Sequence, residues 1–187
     1  MESLSLVALS PATHTAAEVV TLLGLQPLDQ EGGWFRRTSE SGLVIPSSAL
    51  PSAHGGPRRA YSVIHALFTP DGFSALHRLI SDEIWCFHAG DPLESLRLYP
   101  DGRGEWVQLG LAPAAGLRVQ DVVGANVWQG TRLVVGGRWA LVSCTVVPEF
   151  VWADFELAER AALAAAYPAF VEGIVGLTRD APPVGHR

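Results

Sequence analysis

The feature that most narrows the fold is a series of short apolar runs between Leu25 and Phe150, each cut off by a cluster of Gly, Pro or Asp. "GLVIP", "AYSVIHALFT" and "DEIWCFHAGDP" are shorter than an ordinary buried helix and rich in β-branched and aromatic residues. "ESLRLYPDGRGEWVQLGL" reads as a hairpin that turns at Pro100-Asp101-Gly102. "TRLVVGGRWALVSCTVV" reads as a second hairpin, with a two-residue Gly136-Gly137 loop. Many short strands at this spacing predict an all-β antiparallel sandwich or barrel.

Helical patterns flank this region. "THTAAEVVTLLGL" predicts a helix over about 15–24, with Thr15 and Glu18 at capping-box spacing and Gly24 as its stop. Val19, Leu22 and Leu23 share one face of it. After Pro148, Asp154 is placed to cap "FELAERAALAAAYP", where Leu157, Ala161 and Ala164 keep helical spacing. Pro168 is placed to start a last short helix, so C-terminal helices are expected over about 154–176. The chain up to about Pro11 reads as frayed and 178–187 as disordered. With no linker or internal repeat, one domain over 1–187 is expected, its barrel over about 25–150.

Composition removes several functions. The net charge is −6, and the Arg36-Arg37 and Arg58-Arg59 pairs are too short to make a basic patch, so nucleic acid is not the expected partner. All thirteen basic residues are Arg, so a lysine Schiff base is excluded. Cys86 and Cys144 sit in strand-like runs and read as small buried hydrophobes. No apolar run is long enough to span a bilayer and no basic leader opens the chain, so a cytoplasmic location and no membrane partner are expected.

The stretch "GFSALHRLISDEIWCFHAG", residues 72–90, carries a spacing of Gly, His, Glu and Gly that resembles the first motif of the cupin superfamily. Gly72, His77, Glu83 and Gly90 fill the frame, and Leu79 stands in the second histidine slot. "GANVWQ" resembles the second motif, with Gly124, Asn126 and Gln129 in the Pro, Gly and His slots. Longer blocks, "LLGLQPLDQEGGWFRRTSES", "LHRLISDEIWCFHAGDPL", "VVGANVWQGTRL" and "LVSCTVVPEFVWADFELAE", resemble the cupin-5 branch, a group largely of unknown function. Gln30 replaces a usual Pro in the first block, and Cys86 replaces a usual His. The resemblance implies a double-stranded β-helix, the RmlC-like jelly-roll, usually a homodimer. It supplies no activity.

A cupin metal site uses three His and one Glu. Here the matching slots hold His77, Leu79, Glu83 and Gln129, and Leu cannot ligate while Gln offers one neutral oxygen. His77, Glu83 and Gln129 are therefore weak metal candidates, and no cofactor is expected. Strand alternation puts Glu83, Trp85 and Phe87 on one face and Ile84, Cys86 and His88 on the other, unless a bulge re-aims His88. The sequence thus offers an inward His77–Glu83 pair as general acid and base, with the carboxylate fixing the imidazole tautomer. Tyr61 is the expected second proton donor, as a Tyr is in the similar sugar epimerases. Trp34, Arg37, Trp85, Phe87, His88 and Gln129 are the expected ligand contacts. Gly32-Gly33 permits a close backbone approach. His65 reads as either a pocket residue or a tolerated core histidine, with the latter favoured.

Three functions follow. The first is metal-independent isomerase or epimerase chemistry on a sugar or sugar nucleotide. The others are a non-catalytic small-molecule sensor and a metal enzyme with a reduced ligand set.

Overall fold

The computed structural model describes residues 7–179. Helix α1 (Ala16–Leu23) precedes thirteen strands. These are β1 (Gln26–Pro27), β2 (Trp34–Glu40), β3 (Val44–Ile45), β4 (Arg58–Arg59), β5 (Ser62–Phe68), β6 (Phe73–Leu79) and β7 (Asp82–Gly90). They continue as β8 (Leu93–Leu98), β9 (Gly104–Leu109), β10 (Gln120–Val123), β11 (Trp128–Leu133), β12 (Ala140–Val147) and β13 (Phe155–Leu157). Helices α2 (Arg160–Ala166) and α3 (Val171–Gly176) follow.

Two antiparallel sheets face each other, in the orders β1-β2-β5-β12-β7-β10 and β13-β6-β11-β8-β9, and β3 and β4 form a separate ribbon. The interior is filled from both sheets by side chains such as Phe68, Trp85, Phe87, Leu93, Leu109 and Val142. Each outer face is partly covered as well. The first is capped where Val19 of α1 meets Leu67, Trp139 and Leu141. The second is capped where Leu163, Ile174 and Leu177 meet Leu76, Leu96 and Leu98. Strands buried on both faces lose the in–out alternation, which is why β8 is almost wholly buried. A fully buried Leu contributes roughly 2 kcal/mol. Among the described residues, no helix is long and apolar enough to cross a membrane.

Local chemistry explains the helix ends. The Thr15 side chain accepts from the Glu18 amide, the Glu18 carboxylate accepts from the Thr15 amide, and Gly24 closes α1 at φ 61°. Leu22, expected beside Val19, is instead 64% exposed. The segment after Asp154 is not helical. Asp154 is buried and accepts from Nε and Nη2 of Arg58, both at 2.8 Å, so its carboxylate is unavailable as a cap. Residues 155–157 pair with β6 as an edge strand, and α2 starts only where Glu159 accepts from the amides of Ala161 and Ala162.

"ESLRLYPDGRGEWVQLGL" is the hairpin β8–β9, turning with Gly102 at φ 89°. Gly136-Gly137 is not a hairpin loop: β11 pairs with β6 and β8, whereas β12 pairs with β5 and β7 in the other sheet. The turn carries the chain from one sheet to the other. At the ends, Leu9 packs near Val19, and Arg138 donates to the Pro11 carbonyl at 2.7 Å. Thr178 is buried and accepts from Arg160 at 2.7 Å, so the expected disorder does not begin there. Residues 1–6 and 180–187 lie outside the described residues.

Candidate functional site

A cavity of about 200 Å³ opens between the sheets, with His77 and Leu79 of β6, Glu83 of β7 and Cys144 and Val146 of β12 on its walls. Phe35 and Arg37 of β2, Glu31 from the preceding loop, and Phe150 and Trp152 after β12 complete most of the lining.

His77 owes its placement to a bulge. Ser74 faces Thr131 and His77 faces Gln129, so Ala75 and Leu76 stand opposite Gly130 alone. A Cβ on Gly130 would come within 2.8 Å of the Leu76 side chain, so this site needs glycine. The His77 side chain is 2% exposed, stacks on Phe155 at 5.0 Å, and contacts the Ala75 carbonyl through Nδ1 at 2.8 Å. A carbonyl only accepts, so Nδ1 carries the proton and Nε2 of the neutral ring is an acceptor. The tautomer is thus set by Ala75 and not by Glu83, as the sequence had suggested.

Glu83 instead accepts a short bond from Nε2 of Gln129. Gln129 Oε1 accepts from Nη1 of Arg97 at 3.0 Å, and Arg97 Nη2 donates to Asp121 at 3.1 Å. Asp121 reaches the surface through Arg118, at 2.7 Å. The buried chain Glu83–Gln129–Arg97–Asp121 runs through the barrel because Gln129 is registered against His77 on one side and Arg97 on the other. Nε of Arg97 and Nε1 of Trp85 have no partner among the described residues.

The electrostatics follow from burial. Burial pushes the Glu83 pKa up, the Glu31 carboxylate adds to the rise, and His77, Gln129 and Arg97 oppose it. The Cys144 thiol is pushed well above its usual range, first by burial and then by Glu83 and Glu31. Burial lowers Arg97, against the pull of Asp121.

The structure gathers His77, Glu83 and Arg37 on one cavity, with Gln129 directly behind Glu83. Trp85 and Phe87 lie deeper, in the core with Phe68. Trp34 faces the other side of β2 and packs near α1. Tyr61 is 37% exposed and does not line the cavity. His88 is the extra residue of a bulge between Phe87 and Ala89, yet it stays on the outer face, bonded to the Ser143 hydroxyl at 2.9 Å. His65 is no core residue: it lies on that same outer face, edge-on to His88 at 6.0 Å, and burial lowers its pKa. Trp128 packs with the C-terminal helix cluster beneath Arg78.

The sequence reading missed Glu31, Phe35, Cys144, Phe150 and Trp152. Alternation along β2 could have found Phe35, which shares parity with Arg37. Glu31 lies in the block "LLGLQPLDQEGGWFRRTSES", where Gly32, at φ 111°, lets the loop come so close that a Cβ would sit 2.2 Å from the Phe73 carbonyl. Ser74 then donates to Glu31 at 2.5 Å.

A metal does not fit the slots that the cupin pattern assigns. Leu79 has no donor atom, and the oxygen of Gln129 is committed to Arg97. Among the described residues, no three His, Cys, Asp or Glu are grouped to hold a metal ion. A second groove, of about 540 Å³, lies beside α2 and α3. Its arginines are engaged elsewhere, Arg160 with Thr178 and Arg179 with the Glu31 carbonyl at 2.9 Å.

Two facing antiparallel sheets with a site between them define the class: a jelly-roll β-barrel. Residues 17–158 match the family described as Cupin superfamily (DUF985), and the chain belongs to that family. A hypothetical protein from Leishmania major is 30% identical, with a TM-score of 0.81 over 89% of this chain and 100% of its own. A Shewanella oneidensis protein is 33% identical, with a TM-score of 0.78 over 89% of this chain and 98% of its own. Oxalate decarboxylase from Bacillus subtilis, 12% identical with a TM-score of 0.50, shares the fold over 87% of this chain and 39% of its own. No curated protein matches the chain.

Proposed function

We propose that this cupin binds a small organic molecule in the 200 Å³ cavity and moves a proton on it, with Nε2 of His77 as the base. The observation that carries this reading is the fixed His77 tautomer: Nδ1 is held by Ala75, and the acceptor nitrogen belongs to a cavity-lining ring. Glu83, raised in pKa by burial, is the acid partner across the cavity. The volume suits a molecule of about one sugar ring; the nucleotide part of a sugar nucleotide would lie outside.

One base serves a proton shift on a single face of a substrate, as an isomerase requires. Inversion at carbon calls for a second donor on the opposite face. Tyr61, the candidate donor, is off the cavity lining. That placement favours an isomerase over an epimerase, and it also supports a second reading, a binding protein without turnover. A homodimer is the expectation from the family, checked by light scattering, and a cytoplasmic location is a separate proposal, checked by fractionation.

The test is a thermal-shift screen of ring-sized keto-sugars and hydroxy acids, followed by proton NMR of each stabilising compound in D₂O. Loss of a C–H signal with wild type, and not with His77→Asn, supports proton transfer. Stabilisation without exchange selects the binding protein. If no compound stabilises the protein, both readings fall.

A further inference from the structure

The two buried donors without a partner among the described residues, Nε of Arg97 and Nε1 of Trp85, belong to residues off the cavity lining, whereas the polar side chains His77, Glu83 and Glu31 on it offer acceptors. Nε2 of His77 has no partner among the described residues, and the His77 side chain is 2% exposed. Glu83 and Glu31 line the same cavity. The donors nearest these carboxylates are already spent, with Ser74 on Glu31 and Gln129 on Glu83. The Arg97 charge behind Gln129 is matched by Asp121 at 3.1 Å. Arg179 approaches Glu31 through its backbone carbonyl and is committed to that and to the Phe73 carbonyl. Arg37, the cation on the lining, is half-exposed and paired with Glu40 at 3.3 Å.

The same lining carries aromatic side chains. Phe35, Phe150 and Trp152 line the cavity, and the last two meet edge to face at 5.0 Å. Two carboxylates and an imidazole acceptor in a cavity that also presents aromatic side chains call for a compact cation that brings several N–H donors and an apolar body. A metal ion would need bonds near 2 Å from at least three such ligands. An ammonium group works at ordinary hydrogen-bond lengths of about 2.8 Å.

We infer that the ligand class of this cavity is a small primary amine, bound as the ammonium ion by Glu31, Glu83 and His77 with its carbon body against Phe35, Phe150 and Trp152. The inference rests on the cavity being a small-molecule site, as proposed above, and it names the chemistry of the occupant. Bringing a cation to Glu83 favours its ionised form, so binding releases protons wherever burial keeps the free site protonated.

Three probes of one shape separate the chemistry: benzylammonium chloride, benzyl alcohol and sodium benzoate. Each is titrated calorimetrically into the intact protein at pH 7, with Trp fluorescence as a second readout. The expected result is benzylammonium binding at least tenfold tighter than the alcohol, with benzoate weakest. Glu31→Gln and Glu83→Gln should each weaken the amine by tenfold or more and leave the alcohol unchanged. Heats measured in two buffers of different ionisation enthalpy should report proton release. Glu31 is partly exposed, so its variant keeps the test open if Glu83→Gln folds poorly. Equal binding of alcohol and amine, or amine binding untouched in Glu31→Gln, overturns the amine assignment while leaving the small-molecule site intact. Failure of all three probes, together with failure of the sugar and hydroxy-acid screen, overturns both.

Discussion

Nη1 of Arg97 meets Oε1 of Gln129 at 3.0 Å inside the barrel, and this contact decides which end of the amide faces Glu83. Guanidinium only donates, so the amide oxygen must turn toward Arg97 and the NH₂ toward the carboxylate. Gln129 thereby becomes a donor to Glu83. In the cupin pattern the same slot holds a histidine ligand.

Removing Arg97 leaves the buried Gln129 oxygen without its donor and takes from Asp121 its buried partner, leaving that carboxylate to Arg118 alone. Breaking a buried ion pair at one end costs about 3–5 kcal/mol. Arg97→Met should therefore lower the unfolding free energy by roughly that amount in urea titrations. A loss under about 1 kcal/mol would show that the polar chain contributes little to the fold.

Glu83 makes stability depend on pH in a definite direction. Its folded pKa lies above the ordinary value of 4.5, so the folded state binds the proton more tightly than the unfolded state. Its contribution is fully present below about 4.5 and declines as pH rises through the folded pKa. Glu83→Gln removes that decline. The difference in Tm between variant and wild type should grow in the variant's favour as pH is raised from 4 to 8, and a constant difference would contradict the assignment.

The neutral His77 ring should be the Nδ1–H tautomer, because only a donor can face the Ala75 carbonyl at 2.8 Å. Long-range proton–nitrogen NMR correlation would show an unprotonated Nε2. A protonated Nε2 with a bare Nδ1 would remove the base from the proposed mechanism.

Asp154 and Arg58 form a buried two-bond pair that ties the 3-10 turn carrying Trp152 to β4. Asp154→Ala strands the Arg58 charge and should cost about 3 kcal/mol. The same change should loosen the aromatic wall of the cavity, seen as greater quenching of Trp fluorescence by acrylamide. Unchanged quenching together with unchanged stability would refute this anchoring role.

The barrel was legible because strand patterns and the cupin blocks agree along the chain. Period-two alternation put Glu83 inward and His88 outward, and both positions follow from β7. The sequence could not give sheet membership. Gly136-Gly137 has the chemistry of a hairpin turn, but β12 pairs on both edges with β5 and β7 in the other sheet, partners far away in the sequence. Asp154 has the chemistry of a helix cap, yet Arg58, 96 residues away, claims its carboxylate. Glu31, Phe150 and Trp152 reach the cavity from loops, where no periodicity marks direction.

The strand exchange at Gly136-Gly137 also bears on how the chain assembles. β12 is the seam of the six-stranded sheet: Val142 pairs with Ala66 on one side and with Phe87 on the other. During synthesis the β8–β9 hairpin can zip locally, but β5 and β7 wait with open edges until more than two thirds of the chain has left the ribosome. Barrel closure is therefore a late event dominated by distant pairings. The nascent chain's period of greatest risk from edge-to-edge association falls before β12 emerges.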